Sequence, residues 1–286
     1  MAKKAMTVSQ PEILKRPIPS PGEMIPAIGL GTYSVFDVGE SKTDRDPLKE
    51  VLRLFVEAGG GMVDTSPMYG SAERVVGDLA GELGVRDSFF LATKVWTRGR
   101  EAGIRQMEDS LRLLRTNVID LMQVHNLVDW ETHFETLRAW KEQGRIRYTG
   151  ITHYATSAFG AMERVMKAAH PDFIQIYYSI ATRQAEERLL PLATDLGIGV
   201  IVNRPFETAD LFGRVRGKRL PPWATEFGCA SWAQFFLKFI LSHPAVTCAI
   251  PATGNSGHLM DNRKAGYGPL PDVSMREKMA EYLDTL

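Results

Sequence analysis

Along the chain, short apolar runs alternate with longer stretches whose apolar side chains recur at helical spacing. The first segment, ILKRPIPSPGEMIPAI (13–28), carries a Ser-Pro-Gly-Glu turn signal and predicts a short hairpin ahead of the main fold. AIGLGTY (27–33) then reads as a strand and DPLKEVLRLFVEAGG (46–60) as a helix with an Asp-Pro start and a glycine stop. GMVDTSP (61–67) is a strand, and SAERVVGDLAGELG (71–84) a helix that opens on Ser71 like a capping box, with Arg74 in place of the usual Glu. FFLATKV (89–95), DLMQVH (120–125), IRYTGIT (146–152), FIQIYYS (173–179), GVIVNRP (199–205) and VTCAIPA (246–252) complete the strands. Between them run helices over 101–115, 130–144, 156–169, 185–197 and 231–244, with Pro191 marking a local irregularity. In the first of these, Ile104, Met107, Leu111 and Leu114 share one face. An irregular basic stretch precedes the helix at 231, and short helices over 256–266 and 274–286 close the pattern.

Eight strands, each followed by a helix, must pair in parallel, and their apolar runs suit burial on both faces. No linker or compositional break divides the chain, so 1–286 reads as one domain. Its length fits a closed (β/α)8 TIM barrel with an N-terminal hairpin and a C-terminal helix. A doubly wound sheet would place GxGxxG after the first strand, where this chain has GLGTYSVFD.

Composition narrows the function classes. The chain has 34 basic and 34 acidic side chains, so no global field favours nucleic acid or an anionic membrane. The two cysteines, Cys229 and Cys248, exclude a disulfide framework and a cysteine-rich zinc site, and point to a reducing cytoplasm. No metal site is expected. Lys3 and Lys4 are not followed by the apolar stretch of a secretory signal. The greasiest segment, FFLKFIL (235–241), is interrupted by Lys238 and too short to span a bilayer.

A barrel of this kind works at the C-terminal ends of its strands. Four residues fall there: Asp64, Tyr69 in the following loop, Lys94 and His125. An ammonium next to a phenol lowers its pKa toward neutrality, a carboxylate keeps the ammonium charged, and an imidazole can orient a carbonyl oxygen. Taken singly, Asp64 reads as a helix cap, Tyr69 as a turn residue and His125 as a core histidine, whereas the apolar strand around Lys94 argues against a snorkelling surface side chain. Four together at neighbouring strand ends read as a proton-transfer site.

These residues sit in motifs that resemble the aldo-keto reductase superfamily. VDTSPMYGSAERVVG (63–77), ATKVW (92–96) and IDLMQVHNLVDW (119–130) are similar to its tyrosine, lysine and histidine motifs. TGITHY (149–154), FIQIYYS (173–179), VIVNRPF (200–206) and AIPATGNSGHLMDN (249–262) follow in the order in which that family binds its nicotinamide cofactor. The resemblance implies reduction of an aldehyde or ketone by a monomer, with NADP(H) preferred and NAD(H) possible. Tyr69 would be the general acid, Lys94 and Asp64 its support, and His125 the carbonyl-orienting group. Gly31 and Thr32 would lie near ribose and pyrophosphate, and Asp64 would also border the cofactor. Thr152, His153 and Gln175 would hold the carboxamide. Phe206 would lie near the pyrophosphate, and Thr253, His258 and Asn262 near the adenosine end.

The chain departs from the family pattern in places. The carboxamide pair, commonly Ser-Asn, is Thr152–His153, and the stacking aromatic is replaced by Asn203, leaving Arg204 as a substitute contact. Ala252 and His258 occupy positions where many members carry the lysine and arginine that grip a 2′-phosphate, which weakens that selection. GRVRGKR (213–219), Arg263 and Lys264 are candidate compensations. Tyr33, Phe36, Trp96, Trp130 and Tyr267 are expected to wall the substrate pocket beside His125, and the short C-terminal tail predicts an open one. Two competing functions keep the barrel. One is an aldolase with Lys94 as Schiff-base nucleophile; the other is a cofactor-binding subunit with little turnover.

Overall fold

The computed structural model describes residues 12–286. The segment containing Lys3 and Lys4 lies outside the described residues. The predicted hairpin forms from β1 (Lys15–Pro17) and β2 (Met24–Pro26), paired antiparallel. After it come β3 (Leu30–Gly31), α1 (Lys42–Glu57), β4 (Gly61–Asp64), α2 (Ala72–Leu83), β5 (Phe89–Val95), α3 (Arg100–Leu113) and β6 (Ile119–His125). The chain continues through α4 (Trp130–Glu142), β7 (Ile146–His153), α5 (Phe159–Ala169), β8 (Phe173–Tyr177), α6 (Leu189–Leu196) and β9 (Gly199–Asn203). It ends with α7 (Asp210–Arg214), α8 (Trp232–Leu241), β10 (Val246–Ala249), α9 (Ser256–Lys264) and α10 (Val273–Asp284). Strands β3 to β10 pair in parallel in sequence order. Parallel bridges Ile28↔Ala249 and Gly31↔Ala252 join the last strand back to the first and close the ring. A Cβ on Gly31 would meet the Ile250 carbonyl at 2.8 Å, so closure at this point needs glycine.

The period-2 alternation of a strand decides what fills the barrel. Met62, Phe90, Leu121, Tyr148, Phe173, Ile201 and Cys248 form an apolar plug with Ile18 and Ile25 of the hairpin. Two or four residues further along the same strands, the same faces carry Asp64, Lys94, Gln123, His125, Thr152, Gln175 and Asn203. The polar layer therefore rests on an apolar floor at the C-terminal end. A larger cluster packs the outer strand faces against the helices.

Several local expectations are corrected. Helix α1 starts at Lys42, ahead of Asp46–Pro47, because Ser41 caps it by accepting from the Asp44 N–H at 3.2 Å. Its first turn is exposed and polar, so hydrophobic periodicity does not register it. Ser71 caps nothing: its hydroxyl donates to Asp37 and the Val38 carbonyl, both at 2.9 Å, tying the start of α2 to the loop after β3. Pro191 sits in the first turn of α6, where a missing N–H costs no helical bond. The stretch after β9, expected to be irregular, contains α7. Lys238 is fully buried in α8 and donates to the Tyr267 and Pro269 carbonyls at 2.6 and 2.8 Å, which explains a lysine in an apolar run. Cys229 and Cys248 are free and buried. No described helix is long and apolar enough to cross a membrane.

Candidate active site

Lys94 is wholly buried and donates to Asp64 Oδ2 at 2.8 Å and to the Thr65 carbonyl at 2.7 Å. The other Asp64 oxygen accepts from Gln175 at 2.7 Å and Gln123 at 3.3 Å. Three side-chain donors thus converge on this one buried carboxylate. Gly150, beside Gln123 on β7, leaves room for this layer, since a Cβ there would meet Gln123 Cγ at 2.9 Å.

Tyr69 stands in the loop between β4 and α2. Its N–H donates to the Ser66 carbonyl at 3.0 Å. The next residue, Gly70, has φ +59°, and a Cβ there would run into the Asp37 carboxylate at 2.2 Å, so glycine is needed directly after Tyr69. The Tyr69 ring lies 5.0 Å from Lys94 Nζ and meets Tyr33 edge-on at 5.1 Å. His125 presents its ring 6.3 Å from both Tyr69 and Trp96. Asp64, Tyr69, Lys94 and His125 are thus brought together.

The electrostatics differ from the sequence expectation in one respect. Burial pushes the Tyr69 phenol above its ordinary range, and the Lys94 ammonium only partly offsets this. Tyr69 is therefore a protonated phenol at neutral pH, with a cation placed to stabilise the phenolate that proton donation leaves behind. Burial by itself lowers the Lys94 pKa, but the Asp64 carboxylate at 2.8 Å outweighs it, so the net shift is upward and Lys94 stays charged. For His125, burial first, then the Lys94 charge and His153, pull the pKa down to about 3, so the imidazole is neutral.

That shift has a stability consequence. His125 titrates near 6.5 when unfolded and near 3 when folded. Between those values the unfolded chain binds more protons, so its contribution is complete above about pH 6.5 and is lost as pH falls. From neutrality to about pH 5 the loss is about 2 kcal/mol. Urea melts at both pH values should show His125→Gln losing less stability on acidification than the parent chain; equal losses would contradict the assignment.

Four large apolar side chains, Tyr33, Met68, Trp96 and Tyr154, are exposed on loops that follow barrel strands, and Phe212 is exposed in α7. Tyr33 at 56%, Trp96 at 43% and Tyr154 at 53% exposure are too open for core residues, and they make an aromatic rim suited to a planar ligand. His153 accepts the Ala155 N–H on Nδ1 at 3.1 Å and stacks on Tyr154, which leaves Nε2–H as a donor. Asn203 Oδ1 is buried without a partner. A carboxamide offers a complementary acceptor and donors, so these residues fit a nicotinamide. Arg204, at φ +50°, lies over Tyr177 at 4.9 Å and Tyr154 at 5.8 Å.

Other expected site residues have structural duties here. Thr32 donates to the Asp64 carbonyl through both N–H and hydroxyl at 3.0 Å. Gln175 bridges Asp64 and Thr152, the latter at 3.0 Å. Phe206 packs on Phe212 at 4.9 Å and on Phe236. Thr253 is buried and accepts the Asn255 N–H, His258 is exposed in the first turn of α9, and Asn262 is buried in the same helix. Arg263 cannot compensate for a missing phosphate clamp, because it is buried and donates to the Ile28, Gly60 and Ala58 carbonyls. Within GRVRGKR, Arg214 and Lys218 donate to the Leu283 and Leu286 carbonyls, which ties that loop to the C-terminal helix. Phe36 is fully buried and walls no pocket. Tyr267 follows α9 beside Gly266, whose carbonyl binds Leu14 at the hairpin end, opposite the polar layer. Trp130 begins α4 and packs on Phe134 at 6.4 Å.

Sequence reasoning missed Thr65, Gln123 and Ser66. Only the strand period could have found Gln123, two residues before His125 on the same face.

The sequence profile of the Aldo/keto reductase family matches residues 27–280. Methylglyoxal reductase YeaE of Escherichia coli (strain K12) is 31% identical over 252 residues, spanning 83% of this chain and 84% of the relative. Aldo-keto reductase YhdN of Bacillus subtilis (strain 168) is 32% identical over 183 residues, 59% of this chain and 54% of its own. A crystal structure of an aldo-keto reductase from Klebsiella pneumoniae in complex with NADPH superposes with a TM-score of 0.78 at 26% identity, over 95% of this chain and 96% of that one. On this evidence the chain belongs to the aldo/keto reductase family.

Proposed function

We propose that the chain, acting over 1–286 as one barrel domain, reduces a small aldehyde or ketone to an alcohol with NADPH as cofactor. The buried Lys94–Asp64 pair beside a protonated Tyr69 and a neutral His125 carries this reading. A bound reduced nicotinamide would supply the hydride. His125 donates a hydrogen bond that fixes the carbonyl oxygen. Tyr69 delivers its proton to that oxygen as negative charge grows there. Lys94, held charged by Asp64, stabilises the phenolate left on Tyr69, and the Thr65 carbonyl fixes where the ammonium points. His153 and Asn203 hold the carboxamide, with Thr152 and Gln175 behind them; Gly31, Thr32, Phe206, Thr253, His258 and Asn262 shape the rest of the dinucleotide cleft. Tyr33, Trp96 and Trp130 border the substrate. The Escherichia coli relative is a methylglyoxal reductase, and a small 2-oxoaldehyde fits a site with one oxygen-orienting donor and one acid. The enzyme works as a monomer in the cytoplasm, a setting that suits its free, buried cysteines.

The Schiff-base reading fails on charge: a nucleophilic amine must be neutral, and Lys94 is ion-paired and charged. Oxidation of reduced nicotinamide with dicarbonyls, aldehydes, sugars and ketosteroids tests the proposed reaction. Cofactor binding without turnover across the panel would favour a non-enzymatic subunit instead.

The cofactor preference makes a separate prediction. With Ala252 and His258 where a fixed clamp would stand, and Arg263 occupied, NADPH should bind tighter than NADH by only about tenfold. Fluorescence titration of both gives the ratio. Tighter NADH binding, or a preference of about a thousandfold for NADPH, would contradict this reading of the loop.

A further inference from the structure

A neutral imidazole has two tautomers, and only one of them lets His125 donate to a carbonyl from the nitrogen facing away from its neighbours. Ser66 lies two residues past Asp64 and is fully buried. Its Oγ stands 3.3 Å from His125 Nδ1 and accepts the Met68 N–H at 3.4 Å. A buried hydroxyl must place its proton on an acceptor, since leaving it unpaired costs the full desolvation of the group. Among the described residues, His125 Nδ1 is the one acceptor in reach of the Ser66 proton. If Nδ1 carried the proton instead, it would donate to Ser66, and the serine proton would have nowhere to go.

We propose that Ser66 is a positioning residue: it donates to His125 Nδ1 and thereby locks the imidazole as the Nε2–H tautomer, aimed at the substrate oxygen. This rests on the carbonyl-reductase reading for its purpose, though not for its geometry. The depressed basicity of His125 agrees with it, because a charged ring would donate from both nitrogens and oppose the serine proton. Ser66 does not touch the reacting atoms. It determines which nitrogen of His125 can.

The test is long-range ¹⁵N–¹H NMR of the histidine rings in the full chain without cofactor or substrate, with the His125 signals identified by their loss in His125→Gln. The parent chain should show an unprotonated, pyridine-like Nδ1 and a protonated Nε2 at neutral pH. Ser66→Ala should shift His125 toward the Nδ1–H form. Its kcat/KM for a carbonyl should fall about tenfold with the Kd for NADPH unchanged. Ser66→Thr, which keeps the hydroxyl, should restore both the spectrum and the rate. An Nδ1–H ring in the parent chain would overturn the proposal. So would a Ser66→Ala chain that keeps both the parent tautomer and the parent kcat/KM. Because the spectrum needs no turnover, failure of the parent chain to reduce any carbonyl would strike the reductase reading while the tautomer is still judged on its own.

Discussion

Tyr69→Phe lowers kcat/KM for carbonyl reduction about a thousandfold and leaves the Kd for NADPH within about twofold; this is the expected result if the phenol is the acid. The substitution removes one oxygen and keeps the ring, so the edge-on contact with Tyr33 survives. What disappears is a proton needed only as charge develops on the carbonyl oxygen, and an interaction confined to the transition state appears in kcat. Because burial holds the phenol above its ordinary pKa, reduction by the parent chain should not lose its acid anywhere in the neutral range. Stopped-flow turnover together with a binding titration separates these effects. A variant that retains near-normal kcat would remove Tyr69 from the reaction.

Lys94→Met should be as damaging to rate and, unlike Tyr69→Phe, damaging to stability. The ammonium makes two short bonds in a site without solvent. Its removal leaves the Asp64 charge buried with only Gln175 and Gln123 as donors. Breaking a buried pair in this way costs about 3–5 kcal/mol, and the two amides put the expected loss at the lower end. Asp64→Asn combined with Lys94→Met should recover part of that stability and none of the activity, because the uncompensated charge is gone while the phenolate still lacks its cation. Denaturant melts with kinetics on the single and double variants check this. Equal stability of Lys94→Met and the parent would contradict the buried pairing.

Much of the barrel was legible because burial imposes long-range order on local pattern. The run 89–95 is buried at every position, so its limits as a strand could be read from apolar side chains alone. Placing Asp64, Lys94 and His125 at strand ends then followed from the rule that such barrels work at one face. The errors arose where the deciding partner is distant in sequence or polar. Ser41 builds an exposed first turn that carries no hydrophobic signal. Ser71 looks like a cap until Asp37, from another loop, takes its hydroxyl. Phe36 and Tyr267 are aromatic and near motifs, yet one is buried and the other lies at the opposite end, which only the fold reveals. Arg263 reads as a free cation and is spent on carbonyls from 28, 58 and 60. The sign of the Tyr69 shift is not legible in the sequence, which shows the neighbouring lysine but not how deeply the ring is buried.

In the proposed reaction, hydride and proton meet on one carbonyl group at the mouth of this barrel. Product analysis with NADPH carrying deuterium at the transferable C4 position tests it most directly. Mass spectrometry of the alcohol formed from a 2-oxoaldehyde should find one deuterium on the former carbonyl carbon for each NADPH consumed, with Tyr69→Phe forming almost none. An alcohol free of the label, or labelled alcohol formed equally fast by Tyr69→Phe, would contradict the account.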